Sequence, residues 1–350
     1  MAKPSLSNLP NELLHLVIEN IDVPSRSALA RTCRSLHAVT TPHLYSCAHI
    51  QKGKSNEFMR TISDKNEYSN LVHEVKVACE DFEISPCRIV PCLDKLQNLQ
   101  SLAIIGGYWM WDTDKDNGTG EKWSTLERLL YDYLKKTSLE EPIGSRVSQN
   151  LRSLTMDRQE GNLDSAALHS SHAFIIPQLH TLKLRGFQID SDDIEVKSEF
   201  ERMTELKSLQ IERSFVSFKA LATALRAPSA LQYLGIVHTE EYKHHELHSA
   251  DSNNATMKEF MDILLLHRQS LEGIKIDFEE MTFGEWTSCH PPEINTASFL
   301  PYAKEFPKLK RWEGCDSYSM SVFLGGDSDA SDLEAGTGTE EDSEGEFEVA

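Results

Sequence analysis

Three groups of side chains in this sequence have the types and spacing to do chemistry. "YKHHELHSADSNN" sets His244 and His248 four residues apart with His245 and Glu246 between them, a spacing at which one helix face presents two imidazoles to a metal ion. The order is not His-Glu-x-x-His, the surroundings are polar and no third ligand is evident, so a solvated loop is the expectation. "WMWDTDKDNGTGEKW" alternates Asp112, Asp114 and Asp116 like the oxygen ligands of a calcium loop. Its glycine comes one place late, at Gly118, and Trp123 stands where a bidentate carboxylate is required. An acidic surface insertion over residues 106–122 is expected instead, with Trp109 and Trp111 either anchoring a partner or covering an edge of the fold. The seven cysteines, Cys33, Cys47, Cys79, Cys87, Cys92, Cys289 and Cys315, form neither an even disulfide set nor a CxxC zinc pair. No glycine-rich phosphate loop, nucleophile elbow or recognisable Cys–His pairing is present. The expectation is a non-enzymatic chain with no metal and no cofactor; a metal-dependent hydrolase using the histidine stretch is the rival.

Composition bounds the frame around such groups. The chain has 350 residues, 39% of them hydrophobic, too long for one comfortable compact domain and suited to an elongated or two-part architecture. Lysine and arginine number 35 against 55 acidic residues, and the net charge of −20 repels phosphate backbones and anionic bilayers. Neither nucleic acid nor membrane is an expected partner. No apolar stretch nears the ~20 residues needed to span a bilayer, and no charged leader precedes an apolar run and a cleavage site. Unpaired cysteines and these absences predict a soluble protein of the cytoplasm or nucleus.

In "LSNLPNELLHLVIEN", Leu13, Leu14, Val17, Ile18 and Ile21 recur at steps that place them along one side of a helix. Pro10 fits the first turn, where its missing N–H has no partner to lose; Asn8 is the expected cap, and Glu12 lies near the positive end of the dipole. "DVPS" ends this helix. A second, with Ala28, Leu29, Cys33, Leu36 and Val39 as its apolar set, runs to a break at Pro42, and "HLYS" follows as a third piece. So small a unit buries too little surface to stand alone and needs an outside surface to pack on.

These residues resemble an F-box. "LPNELLHLVIENI" and then "ALARTCRSLHAVTTPHLY" carry Leu9, Pro10, Glu12, Leu13, Leu14, Ile18, Cys33, Arg34 and Tyr45 in the family's order, over residues 5–46. Two departures stand out: "PSRSAL" where the family often has Asp-Leu, and Leu36 with His37 where it often has tryptophan. The resemblance implies docking on a Skp-type adaptor and, through it, a cullin. The adaptor-binding residues it implies are Leu9, Pro10, Leu13, Leu14, Ile18, Cys33, Arg34 and Leu36. Residues 47–69 are expected to be a linker and helical connection. The alternative is an ordinary helical hairpin packed on the next domain.

Further along, one phrase recurs: "LQNLQSLAI", "SQNLRSLTM", "IPQLHTLKL", "MTELKSLQI", "PSALQYLGI" and "RQSLEGIKI". Its anchors are Leu99, Leu151, Leu179, Leu206, Leu231 and Leu271, with weaker copies at Val72 and Leu309, and the intervals from Val72 are 27, 52, 28, 27, 25, 40 and 38 residues. Phrase and period resemble leucine-rich repeats, each of which supplies one strand to a parallel sheet. Amphipathic segments lie between them: "STLERLLYDYLKK", "SFKALATALR" and "TMKEFMDILLLHR". The expected fold class is α/β: an N-terminal three-helix F-box, then an irregular leucine-rich-repeat-like solenoid with parallel strands and helices over residues 70–320. Irregularity is expected because Gln159, Phe187, Ser214, Thr239 and Glu279 occupy the slot where the repeat usually has Asn or Cys to satisfy turn backbone groups. An α/β domain with only local solenoid character is the alternative.

If the strands stack, alternation lines one face with Thr155, Lys183, Gln210, Gly235 and Lys275, and a neighbouring row with Asp157, Arg185, Glu212, Val237 and Asp277. Asp157, Lys183, Arg185, Glu212, Lys275 and Asp277 are the residues expected to meet an unidentified protein target, unless neighbouring rows simply neutralise each other. Residues 321–350, with ten acidic and no basic residues, are expected to be a disordered tail. Ser331, Thr339 and Ser343 in it each precede an acid by three places, as casein-kinase substrates do.

Overall fold

The computed structural model describes residues 6, 9–50, 54–64, 66–78, 85–106, 131–142, 149–157, 171–189, 196–216, 218–238, 257–278, 302–313 and 321–323. The Asp112–Asp116 stretch, Trp109 and Trp111, the His244–His248 stretch and the chain beyond 323 lie outside the described residues.

Three helices open the chain: α1 (Asn11–Glu19), α2 (Val23–Ala30) and α3 (Arg34–Tyr45). α1 begins directly after Pro10, whose carbonyl takes the first N–H groups, from Leu13 and Leu14. Asp22 caps α2 by accepting the Ser25 N–H at 2.9 Å, with Pro24 in the first turn. The next break falls earlier than expected. Arg31 and Thr32 close α2 with bonds to Ala28 and Leu29, Cys33 is extended, and α3 then runs through Pro42. Pro42 is tolerated because it sits in the last turn, where it removes one backbone bond without splitting the helix. Leu14, Ile18 and Leu36 form a small core of their own, with Leu9, Leu29 and Val39 packed around it.

Ser46 alone separates α3 from β1 (Cys47–Ile50), so the segment expected as a linker starts with a strand of the sheet. α4 (Ser55–Asp64) and α5 (Asn66–Ser69) follow, and Tyr45 of α3 stacks on Tyr68 of α5 with centroids 4.3 Å apart. Then come β2 (Glu74–Ala78), α6 (Ser85–Leu93), β3 (Ser101–Ile105), α7 (131–137), β4 (Ser153–Asp157) and β5 (Thr181–Arg185). β6 (Gln188–Ile189), β7 (Ser208–Glu212), β8 (Phe215–Val216), α8 (Phe218–Ala224) and β9 (Tyr233–His238) continue the chain. α9 (Met257–Leu264), β10 (Gly273–Phe278), β11 (Arg311–Glu313) and β12 (Ser321–Phe323) complete it.

Ten strands form one sheet in the order β1-β2-β3-β4-β5-β7-β9-β10-β11-β12. The first nine are parallel, and β12 lies antiparallel beside β11, inside the segment expected as tail. β6 and β8 make a separate parallel pair. Each leucine phrase produces one strand, beginning two residues after its anchor, and the anchors themselves are buried. The 52-residue interval holds no strand among the described residues, since β3 pairs directly with β4.

Alternation along each strand sends Leu102 and Ile104, Leu154 and Met156, Leu182 and Leu184, and Leu209 and Ile211 inward. There they meet Ile62 of α4, Leu93 of α6, Tyr133 of α7, Leu221 of α8 and Met261 of α9 in one continuous core. The backbone repeats as well. The carbonyl just before each strand accepts two successive N–H groups from the start of the next: Ser46 from His73 and Glu74, His73 from Gln100 and Ser101, Gln100 from Arg152 and Ser153. The pattern continues through Arg152, His180, Lys207, Gln232 and Glu272. At the other rim Gly106, Gly186 and Arg213 follow β3, β5 and β7 with positive φ. The Ser214 hydroxyl serves backbone groups at this rim, accepting the Phe187 N–H at 3.1 Å and donating to the Glu212 carbonyl at 2.7 Å. Buried His267 ties two units together, donating from Nε2 to the Leu225 carbonyl at 2.7 Å while Nδ1 accepts the Leu231 N–H. Burial holds this imidazole below its ordinary pKa, and so neutral.

Candidate functional site

Apolar residues run around so much of α1 that they cannot all face one core. Leu14 and Ile18, four apart, point into the module, while Leu13, Leu16 and Val17 form a second strip that stays 47%, 56% and 37% exposed. Pro10 and Leu6, ahead of α1, are also exposed, and Val23 at the start of α2 is 61% exposed. A large exposed aliphatic patch on so small a unit marks a surface meant to be covered.

Arg26 fixes the angle between the helices. Its guanidinium donates to the Ile18 and Glu19 carbonyls, at 2.8 and 3.0 Å, and so caps the C-terminus of α1 from α2. It also reaches the His43 carbonyl of α3 at 3.4 Å. His15 and His43 join α1 to α3 through a ring-to-ring hydrogen bond of 2.7 Å, in which one ring nitrogen donates and the other accepts. Burial first, and then the neighbouring His15, depresses the His43 pKa.

On the sheet, the outward rows follow the expected register: Thr155, Lys183, Gln210, Gly235 and Lys275 are successive partners, as are Asp157, Arg185, Glu212, Val237 and Asp277. Two cross-strand ion pairs occupy the middle of this face, Lys183 to Glu212 at 2.7 Å and Arg185 to Asp157 at 3.5 Å. Beside them the Tyr233 ring lies across two glycines. A Cβ on Gly273 would come within 3.0 Å of its Cδ2, and one on Gly235 within 3.1 Å of its Cε1. Where β1 meets β2, Cys47 Sγ lies 3.3 Å from His49 Nε2, with Glu74 on the neighbouring strand. Burial, and then the Glu74 carboxylate, pushes the Cys47 thiol up to about 11.

The F-box-like family model matches residues 6–51, which span α1 to α3 and β1. The chain carries an F-box-like domain. No curated protein matches the chain. F-box domains bind Skp-type adaptors, and F-box proteins are typically non-catalytic subunits of ligases.

Within this F-box-like domain the eight residues expected to bind an adaptor divide. Pro10, Leu13, Cys33 and Arg34 are exposed, and Leu9 is half-buried. Leu14, Ile18 and Leu36 are buried in the domain's own core, where they hold the helices together. Leu16 and Val17 join Leu13 in the exposed strip and Val23 on α2 is exposed as well; of these three only Val17 belongs to the apolar set read from the sequence. Of the six residues expected on the target-facing side, Asp157, Lys183, Arg185 and Glu212 are tied up in the two ion pairs. Lys275 is half-buried on the same row, and the Asp277 side chain lies outside the description. Arg26 and Tyr233 escaped the sequence reading, because helix capping and aromatic packing on glycine depend on contacts between distant segments.

Proposed function

We propose that this chain is the target-recognition subunit of a Skp–cullin–F-box ubiquitin ligase. The observation that carries the reading is the exposed strip of Leu13, Leu16 and Val17, with exposed Val23 on α2, on a domain matched by the F-box-like model. A Skp-type adaptor covers that strip, while Leu14, Ile18 and Leu36 keep the helices in the geometry that presents it. The cullin joins through the adaptor. The strand-helix units, with their recurring leucine phrase, act as an irregular leucine-rich-repeat solenoid whose outward rows receive a protein target. Asp157, Lys183, Arg185, Glu212, Lys275 and Asp277 contribute to that surface. The paired charges give it fixed donors and acceptors, and Tyr233 gives it a flat aromatic platform. Catalysis is by proximity: the subunit makes no bonds and raises the local concentration of target lysines near a charged conjugating enzyme. Such an assembly works in the cytoplasm or nucleus.

The test is co-purification of tagged full-length chain from cells, comparing wild type with a Leu13→Glu, Leu16→Glu double change. Adaptor and cullin recovered with the wild type and lost from a variant with unchanged circular dichroism support the reading. Adaptor without cullin replaces the ligase with a scaffold, and neither partner in the wild type overturns the assignment.

A further inference from the structure

The geometry points to a second site: Cys47, His49 and Glu74 form a binding site for one zinc-like divalent cation at the joint between the helical domain and the sheet. Cys47 and His49 are two residues apart on β1, so alternation puts them on one face, and the parallel register sets Glu74 of β2 directly beside Cys47. One ligand atom from each of the three residues falls within 4.8 Å of the other two. In a tetrahedral zinc site with Zn–S of about 2.3 Å and Zn–N of about 2.0 Å, sulfur and nitrogen stand about 3.5 Å apart. The Cys47–His49 separation of 3.3 Å is already close to that edge.

The donor set selects the metal. Thiolate with imidazole and carboxylate suits zinc or cobalt and not magnesium or calcium, which take oxygen ligands. Binding exchanges the S–H bond for a sulfur–metal bond, and the proton leaves to water; no redox change is involved. Thiolate and carboxylate together balance the two positive charges of the cation. The exposed side of His49 leaves the fourth position open to water. Two cations, Arg26 and Lys76, act on Cys47: Arg26 is held on the Ile18 and Glu19 carbonyls, and Lys76, the register partner of His49, is exposed, with a flexible stem that lets its ammonium turn to solvent. Since β1 leaves α3 after Ser46 alone, such a metal clips the first strand to the second where the helical domain is attached. The site is independent of the adaptor reading.

Metal-free, reduced full-length chain titrated with Co²⁺ provides the test, read by thiolate-to-cobalt absorption. The expected result is one Co²⁺ per chain, displaced by Zn²⁺, with the absorption absent from Cys47→Ser. Loss of an outer partner alone weakens a metal site ~10–100-fold, so His49→Ala and Glu74→Gln should each bind at least ~10-fold more weakly. No absorption in the wild type at stoichiometric metal, or absorption that survives Cys47→Ser, overturns the site. If Cys47→Ser loses its circular dichroism, the other two variants decide, and unchanged affinity in both overturns it.

Discussion

Replacing Leu13 and Leu16 together by alanine should weaken adaptor binding while leaving the domain folded. Fully burying a leucine is worth ~1.5–3 kcal/mol, and these two are 47% and 56% exposed, so a partner that covers them recovers about half of that from each. The pair then contributes ~2 kcal/mol, about 30-fold in Kd, with some departure from additivity because the residues are neighbours on one helix. Neither side chain fills the core of the domain, so folding stability should change by no more than ~0.5 kcal/mol. Ile18→Ala is the contrasting case. It empties a fully buried position in a core of only three buried aliphatics, at a cost of ~2–5 kcal/mol, and should melt the three helices before the sheet. Calorimetric titration with purified Skp-type adaptor measures the first effect, and thermal unfolding followed by circular dichroism the second. A folded double variant that binds within about twofold of wild type refutes the argument that the exposed strip is the contact. An Ile18→Ala chain that melts like wild type refutes the division into inward and outward faces.

Acid should destabilise the protein. His43 and His267 are held below their ordinary 6.5, so the unfolded chain takes up protons that the folded chain refuses. Their contribution is present above pH 6.5 and lost as the pH falls below it. The urea midpoint should therefore drop between about pH 7.5 and about pH 5.5, and a constant midpoint would deny that burial governs these groups. The thiol of Cys47, pushed up to about 11, should resist iodoacetamide in metal-free protein at about pH 8, where only ~0.1% is thiolate. Peptide mass mapping should find exposed Cys33 modified before Cys47 and buried Cys92. Arg26→Ala removes the cap on α1 and should cost ~1–3 kcal/mol by chemical denaturation, without touching the exposed strip.

Much of the sheet was legible because its signal is doubly periodic. A leucine anchor buried at each turn and alternate aliphatics after it leave one way to align neighbouring strands, and Thr155, Lys183 and Gln210 accordingly meet in the expected register. β1 was hidden by the lack of such a phrase: "CAHI" has one large aliphatic and reads as connection. The first helix was legible as a helix but not in its orientation. Leu13, Leu14, Leu16, Val17 and Ile18 cover so wide an arc that periodicity cannot tell the residues that hold the domain from those left exposed. The break at Pro42 failed for a positional reason, since proline disrupts a helix interior and this one occupies the final turn. The convergence of Cys47, His49 and Glu74 joins residues 27 positions apart, a distance set by the repeat and invisible to motif spacing.

The shared register also makes the sheet a graduated scale. Neighbouring strands stand about 4.8 Å apart, and β1 sits at the origin, one residue from the helical domain. A target held by Arg185 and Asp157 lies three to four steps along, roughly 15–20 Å from that origin, and one held by Tyr233 lies six steps along, roughly 30 Å. Under the proposed proximity function, the landing strand would select which lysines come within reach. Adding or deleting one strand-helix unit would shift that selection by a fixed length and leave the chemistry of contact unchanged.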